Sequence, residues 1–332
     1  MALKTPYLMF LGDAPDQLAA KTAGGVVHWR RDICLGQLRL PGCNADLGLP
    51  DMDLEAAARA GAKTLIVGVA NRGGVIGPAW IEQLVRACEL GFDIASGLHA
   101  KLTDVPAIAE AAAKHGRTLT DARHPTRAFD VASGKKRAGK RLLPVGTDCS
   151  VGKMYTALAI EREMLSRGMK ASFRATGQTG IFIAGSGVSV DAVVADFISG
   201  ATEWLAPENE PDHWDLIEGQ GSLFHASYAG VSLGLLHGAQ ADALVLCHEP
   251  TRKHMRGLPD YPLPGLAECI AANEQAARLT NPAAKCIGIS VDTHNMAKAD
   301  GLDYLSRIEG ELGLPAVDPV ATGVQRLVDN LP

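Results

Sequence analysis

The chain has 332 residues, 21% of them charged, and a net charge of −5, so it is too long for one ordinary core and slightly acidic. At roughly 100–200 residues per domain, two domains are expected. The charge balance excludes the bulk basic surface that nucleic acid requires, and no apolar run of about 18 residues or signal-peptide core is present, which predicts a cytoplasmic protein with no membrane partner.

Apolar strands alternate with amphipathic helices, which predicts α/β architecture with parallel sheets. The expected division is an N-terminal Rossmann-like domain at 1–125, a basic linker at 126–141 and a P-loop NTPase-like parallel-sheet domain at 142–332. Residues 7–11 read as a strand ending in Gly12-Asp13, and residues 62–69 (AKTLIVGV) as a buried strand followed by Ala70-Asn71-Arg72-Gly73-Gly74. A helix is expected at 80–90, where Ile81, Leu84, Val85 and Cys88 recur at helical spacing. A strand at 93–95 then leads to Ser96-Gly97-Leu98-His99, and a helix is expected at 105–115. The polar run 126–141, with Lys135, Lys136, Arg137, Lys140 and Arg141, is either a solvated linker or a basic rim beside an anion site.

Residues 141–145 read as a strand and 154–167 as a helix; between them runs Gly146-Thr147-Asp148-Cys149-Ser150-Val151-Gly152-Lys153. Strand, glycine-bearing turn and helix is the order a phosphate-binding loop requires. Glycines let backbone N–H groups wrap an anion, the helix start adds partial positive charge, and a lysine reaches the outer oxygens. The next position usually carries a hydroxyl that holds Mg²⁺, and here it is Met154, whose thioether is a poor ligand for a hard cation. The loop therefore reads as one that grips a phosphorylated ligand without hydrolysing it, and no metal is expected. Its GTD-x-x-VGK spacing resembles the loop of dethiobiotin synthetase. The seven cysteines are scattered and never spaced C-x-x-C, which argues against disulfides and structural zinc. Cys149 lies near a helix start that would lower its pKa, and a packing role is preferred for it over a nucleophilic one.

Beyond the loop, 171–175 reads as a strand, 177–180 (Gly-Gln-Thr-Gly) as a glycine-rich turn and 190–199 as a helix. A strand from Trp214 closes on Asp215, Glu218 and the turn Gly219-Gln220-Gly221-Ser222, and 243–247 and 285–290 are two further buried strands. Ligands of open α/β sheets collect beyond such strand ends. Asp215 and Glu218 stand where a P-loop protein places its second acidic motif, and without a metal-holding hydroxyl Glu218 reads as a general base rather than a ligand. Arg72, Arg174 and Arg252 each follow a strand, and an arginine fork suits a substrate carboxylate. His99, His225, His248 and His254 have no metal-ligand spacing.

The Asn-Arg-Gly-Gly segment, the loop ending in Gly-Lys-Met, the Thr-Gly-Gln-Thr-Gly turn and the Glu-Gly-Gln-Gly-Ser strand end together resemble one family over nearly the whole chain. It is the two-domain P-loop family, long known only as a domain of unknown function, that includes D-glutamate N-acetyltransferase. The resemblance implies transfer of an acetyl group from acetyl-CoA to the amino group of a small amino acid, D-glutamate. It implies that Gly146, Thr147, Cys149, Ser150, Val151, Gly152, Lys153 and Met154 cradle a CoA phosphate, and that Arg72, Arg174, Arg252 and Ser222 bind substrate. Glu218 or Asp148 would then take a proton from the ammonium, and N–H groups of Gly219–Ser222 would steady the oxyanion. A homo-oligomer, with a dimer favoured, is expected for this class. The alternative is an ATP- and Mg²⁺-dependent ligase or kinase like dethiobiotin synthetase, favoured by the loop spacing and Glu218 and disfavoured by Met154.

Overall fold

The computed structural model describes residues 3–69 and 75–332, and the chain forms two compact units. Met1–Arg127 and Gly177–Ala192 make the first; Ala128–Thr176 and Val193–Pro332 make the second.

In the first unit β1 (Tyr7–Gly12), β2 (Cys34–Arg39), β3 (Thr64–Val67), β4 (Asp93–Ser96) and β5 (Leu119–Asp121) form a parallel sheet in the order β2-β1-β3-β4-β5. Every residue of β1, β3 and β4 is buried, the pattern of strands covered on both faces. Four helices connect them: α1 (Lys21–Arg30), α2 (Leu54–Arg59), α3 (Pro78–Glu89) and α4 (Pro106–His115). The last two start on proline, whose missing N–H costs nothing in a first turn, and α4 ends on Gly116 at φ 63°. The expected helices at 80–90 and 105–115 thus form within two residues of their expected bounds. Two strands were not expected. β2 carries Gln37, a polar residue buried by hydrogen bonds to Asp46 and Asp51, and β5 is three residues long. Gly12 takes φ 52°, and a Cβ there would lie 2.5 Å from the Trp80 ring, whose indole N–H donates to Asp13. Arg72 and the rest of the Ala-Asn-Arg-Gly-Gly segment lie outside the described residues.

The second unit opens with β6 (Lys140–Gly146), α5 (Lys153–Ser166) and β7 (Ala171–Arg174). The chain then contributes α6 (Gln178–Ala184) to the first unit, where Thr179 lies against Gly25 of α1 and Gln178 lies over Gly97 at the end of β4. The expected glycine-rich turn at 177–180 is therefore the first turn of a helix, capped by Gly177 and anchored by buried Ile181, Phe182 and Ile183. The expected helix at 190–199 does not form as one element. Short turns at Val190–Ala192 and Ala195–Phe197 precede α7 (Ile198–Leu205), because the boundary between units falls there and Val194, 67% exposed, has no face to bury.

The second unit continues with β8 (Trp214–Ile217), α8 (Ala229–Ala239), β9 (Ala243–His248), α9 (Leu266–Ala277), β10 (Lys285–Val291), α10 (Lys298–Leu312), β11 (Ala316–Val317) and α11 (Gln325–Asp329). Its parallel sheet runs β11-β10-β9-β6-β8-β7. From β6 the chain goes to the outermost strand β7, returns to β8, then crosses to β9 on the other side of β6. That crossing leaves the ligand crevice of an open sheet at the carboxyl end of β6.

The basic run ahead of β6 divides in two: Lys135 and Lys136 are exposed, as a solvated linker requires, while Arg137 and Arg141 turn inward. Arg141 is wholly buried and donates to the carbonyls of Arg137, Ala138, Gly139 and Pro207, and Arg137 donates to those of Ala206 and Gly238. Both sit at the start of β6, about 20 Å of strand away from its carboxyl end.

Candidate functional site

The phosphate loop spans 147–152, between β6 and α5. Gly146 is required by close approach, since a Cβ there would lie 2.9 Å from the Asp148 carbonyl and 3.0 Å from Lys153 Nζ. Ser150 and Gly152 both take positive φ, 53° and 88°, the alternation that turns successive N–H groups into an anion-binding concavity. The N–H groups of Ser150 and Val151 make no hydrogen bond to another described residue. Lys153 is folded under the loop, buried, with Nζ donating to the Asp148 carbonyl at 2.8 Å, and burial holds its pKa below the usual lysine value. The next aliphatic hydroxyl along the helix, that of Thr156, donates to the Gly152 carbonyl and shares a hydrogen bond with Ser290, so it does not replace the one missing at Met154. Burial raises the Cys149 pKa, outweighing Lys153 and opposite to the lowering expected near a helix start, which fits the packing role preferred for it.

Asp148 was expected as a candidate base. Its carboxylate is wholly buried, with Oδ2 accepting from Arg252 Nη1 at 2.6 Å and the Arg256 N–H at 2.8 Å, and Oδ1 accepting from the Cys149 N–H. A carboxylate so committed shapes the loop instead of removing protons from a substrate. Arg252, expected on a substrate carboxylate, also donates to the carbonyls of Cys149 (2.6 Å) and Ser150 (3.1 Å). Arg174 does not approach the loop: its Nε donates to Asp215 at 2.8 Å, and that pair lies near Arg141. Asp215 is thereby removed from the second acidic motif, which is left to Glu218.

Glu218 sits where β8 ends, and its Oε2 accepts the Thr176 N–H at 2.9 Å while the Thr176 hydroxyl donates to its carbonyl. The next residue, Gly219, passes so close to β6 that a Cβ would lie 1.8 Å from the Pro144 carbonyl and 3.0 Å from Lys153 Cδ. The structure therefore brings Glu218 and the phosphate loop together across adjacent strands. Ser222 is buried, and its hydroxyl accepts the Phe224 N–H inside the turn.

Three features were not singled out from the sequence as parts of the site. His225 accepts the Ser227 N–H on Nδ1 and donates from Nε2 to the Arg256 carbonyl, so its ring proton is on Nε2. His248, at the end of β9, shares a hydrogen bond with the Thr147 hydroxyl at 3.0 Å, and burial pulls its pKa down to about 4. A cavity of about 450 Å³ adjoins the loop, lined by Val151, Gly152 and Tyr155, by Leu302 and Leu305 of α10, and by Asp292 and Asp318. This is within the usual range of ligand pockets, about 300–1,000 Å³. The signal available in sequence was position alone: these residues follow strand ends or the loop. Among the described residues one grouping could ligate a metal, Asp148, Cys149 and His225 within 4.8 Å of one another. Both His225 nitrogens are engaged and the Arg252 cation already neutralises Asp148, so the donor set is poorly suited to an ion.

Fold and site define a two-domain α/β protein with a phosphate-binding loop. The chain belongs to the DUF1611 family: its P-loop domain of unknown function matches residues 130–328 and its Rossmann-like N-terminal domain of unknown function matches 38–125. A curated relative from Tritonibacter scottomollicae, named D-glutamate N-acetyltransferase, is 59% identical over 329 residues, covering 99% of each chain. One of the same name from a Pseudoalteromonas species is 50% identical over 331 residues, covering 100% of each. The crystal structure of a DUF1611 family protein from Anabaena variabilis is similar at a TM-score of 0.86, with 29% identity, over 98% of this chain and 99% of that one.

Proposed function

We propose that this protein is an amino-acid N-acetyltransferase that moves an acetyl group from acetyl-CoA to the amino group of D-glutamate, giving N-acetyl-D-glutamate. The observation that carries the proposal is end-to-end identity of 59% and 50% to two relatives bearing that name. The site supports it. A loop that offers N–H groups and a lysine but no metal-holding hydroxyl suits the pyrophosphate of CoA, which is bound and not cleaved. The adjoining cavity offers apolar side chains, Leu302 and Leu305 among them, to a nucleobase.

The amine attacks the thioester carbonyl only when neutral, so a base must take a proton from the ammonium. Glu218 is the proposed base, held beside the loop by the Thr176 N–H. The C–N bond forms, the C–S bond breaks, and the second proton lost by the nitrogen is taken up by the leaving CoA thiolate. N–H groups of Gly219–Ser222 are the proposed donors to the carbonyl oxygen as it gains charge. Arg174 and Arg252 are engaged by Asp215 and Asp148, so neither is proposed as the clamp on the acceptor's carboxylates. No helix among the described residues is long and apolar enough to cross a membrane. A cytoplasmic homodimer completes the reading, with sedimentation expected at about twice 34.9 kDa.

The test is calorimetric titration with acetyl-CoA and, separately, with ATP and Mg²⁺, followed by a thiol-release assay. Thiol released only when D-glutamate is present is the expected result. Mg²⁺-dependent ADP release with no thiol would overturn the reading in favour of a ligase or kinase.

A further inference from the structure

Anion-binding loops work by aiming peptide N–H groups inward, which forces the carbonyls of the same peptide planes outward. Here those outward carbonyls have one partner in common. Arg252 donates to the carbonyls of Cys149 and Ser150, and because C=O and N–H point in opposite directions across a trans peptide, this fixes the direction of the N–H groups of Ser150 and Val151. The same guanidinium pairs with Asp148, whose Oδ2 also receives the Arg256 N–H. Arg256 further donates to the Ser150 hydroxyl, and its carbonyl is held by His225. Ser150 stands at φ 53°, a conformation that a side chain other than glycine keeps only when its surroundings impose it. The imposing groups are Arg252 and Arg256. Three strand-end segments, 147–152, 222–228 and 249–256, thus meet on one buried carboxylate.

We propose that Arg252 is a positioning residue for the acyl donor: through Asp148 and two loop carbonyls it presets the phosphate loop, and it does not bind the carboxylates of the acceptor. The proposal rests on the acetyl-CoA reading of the loop only for the identity of the donor. Lysine at this position can reach one of the three acceptors and not all of them, so Arg252→Lys retains charge but loses the fork.

The experiment measures KM for both substrates, together with pyrophosphate affinity by calorimetry, in the wild-type protein, Arg252→Met and Arg252→Lys. The expected result for Arg252→Met is a rise of about 30-fold in acetyl-CoA KM and a comparable loss of pyrophosphate affinity. The D-glutamate KM and kcat should stay within about threefold, with Arg252→Lys intermediate. If Arg252→Met does not fold, Arg252→Lys carries the same split. A rise in D-glutamate KM, alone or with that of acetyl-CoA, makes Arg252 an acceptor clamp and overturns the proposal. A lower unfolding midpoint with neither KM nor pyrophosphate affinity changed also overturns it, leaving a structural role. If the wild type releases no thiol but pyrophosphate affinity still falls in the variants, the acetyltransferase reading fails and the positioning role stands. A wild type that binds neither pyrophosphate nor acetyl-CoA sinks both.

Discussion

β6 has cations at both ends: Arg137 and Arg141 at its start, and Lys153, Arg252 and Arg256 around the loop at its finish. At the start, the guanidinium groups are buried against main-chain carbonyls, and burial pulls the Arg137 pKa down to about 10. At the finish, Arg252 also takes carbonyls, but of a loop whose opposite edge presents N–H groups with no protein acceptor among the described residues. The same chemistry closes the chain in one place and opens it toward a ligand in the other. The difference lies in whether the far side of the bonded peptides is left vacant.

Substitutions at the two ends should therefore separate stability from binding. Arg141→Met leaves buried carbonyls without their donor and should cost about 3 kcal/mol, read as a lower urea midpoint, with the acetyl-CoA KM within twofold of wild type. An altered KM would mean the two ends are coupled. At the other end, Lys153→Ala should weaken acetyl-CoA binding about 100-fold, or about 2.7 kcal/mol, while the urea midpoint stays or rises, because the buried amine is costly in the unliganded protein. Calorimetry showing unchanged affinity would remove Lys153 from the site.

The loop end should also carry the pH response. His248 is held near pKa 4 when folded against 6.5 as its ordinary value. Its folded pKa is depressed, so below pH 6.5 the unfolded chain binds the proton first. Stability is complete above that pH and falls as pH drops toward 4, by up to about 1.4 kcal/mol per pH unit. His248→Gln should flatten that slope in urea titrations at pH 5 and 6, and an unchanged slope would assign it to another group. The smallest effect is expected for Lys136→Ala, whose ion pair with Asp242 is half-exposed. It should alter stability by less than about 0.5 kcal/mol and leave thiol release unchanged.

Much of the fold could be read from local pattern. β6, α5, β8, β9 and β10 form within two residues of their expected bounds, because buried parallel strands are continuous apolar runs and α5 begins at a glycine. The phosphate loop was equally legible, as was the missing hydroxyl at Met154. The arginines were not. Arg174 ends β7 and Arg252 follows β9, yet one turns back to Asp215 while the other reaches Asp148 beyond the neighbouring β6, two residues that no local spacing connects to them. The assignment of Gly177–Ala192 to the first unit was invisible for the same reason.

Backbone propensity and hydrophobic period act over a few residues, so they specified the strand-loop-helix unit, the two-domain α/β class and the position of Glu218 at a strand end. Which charges meet depends on strand order and on distances of a few ångströms between segments about 100 residues apart, such as Arg252 and Asp148. Only the packed sheet sets those distances, and so only the tertiary structure turned an expected substrate clamp into a brace for the loop.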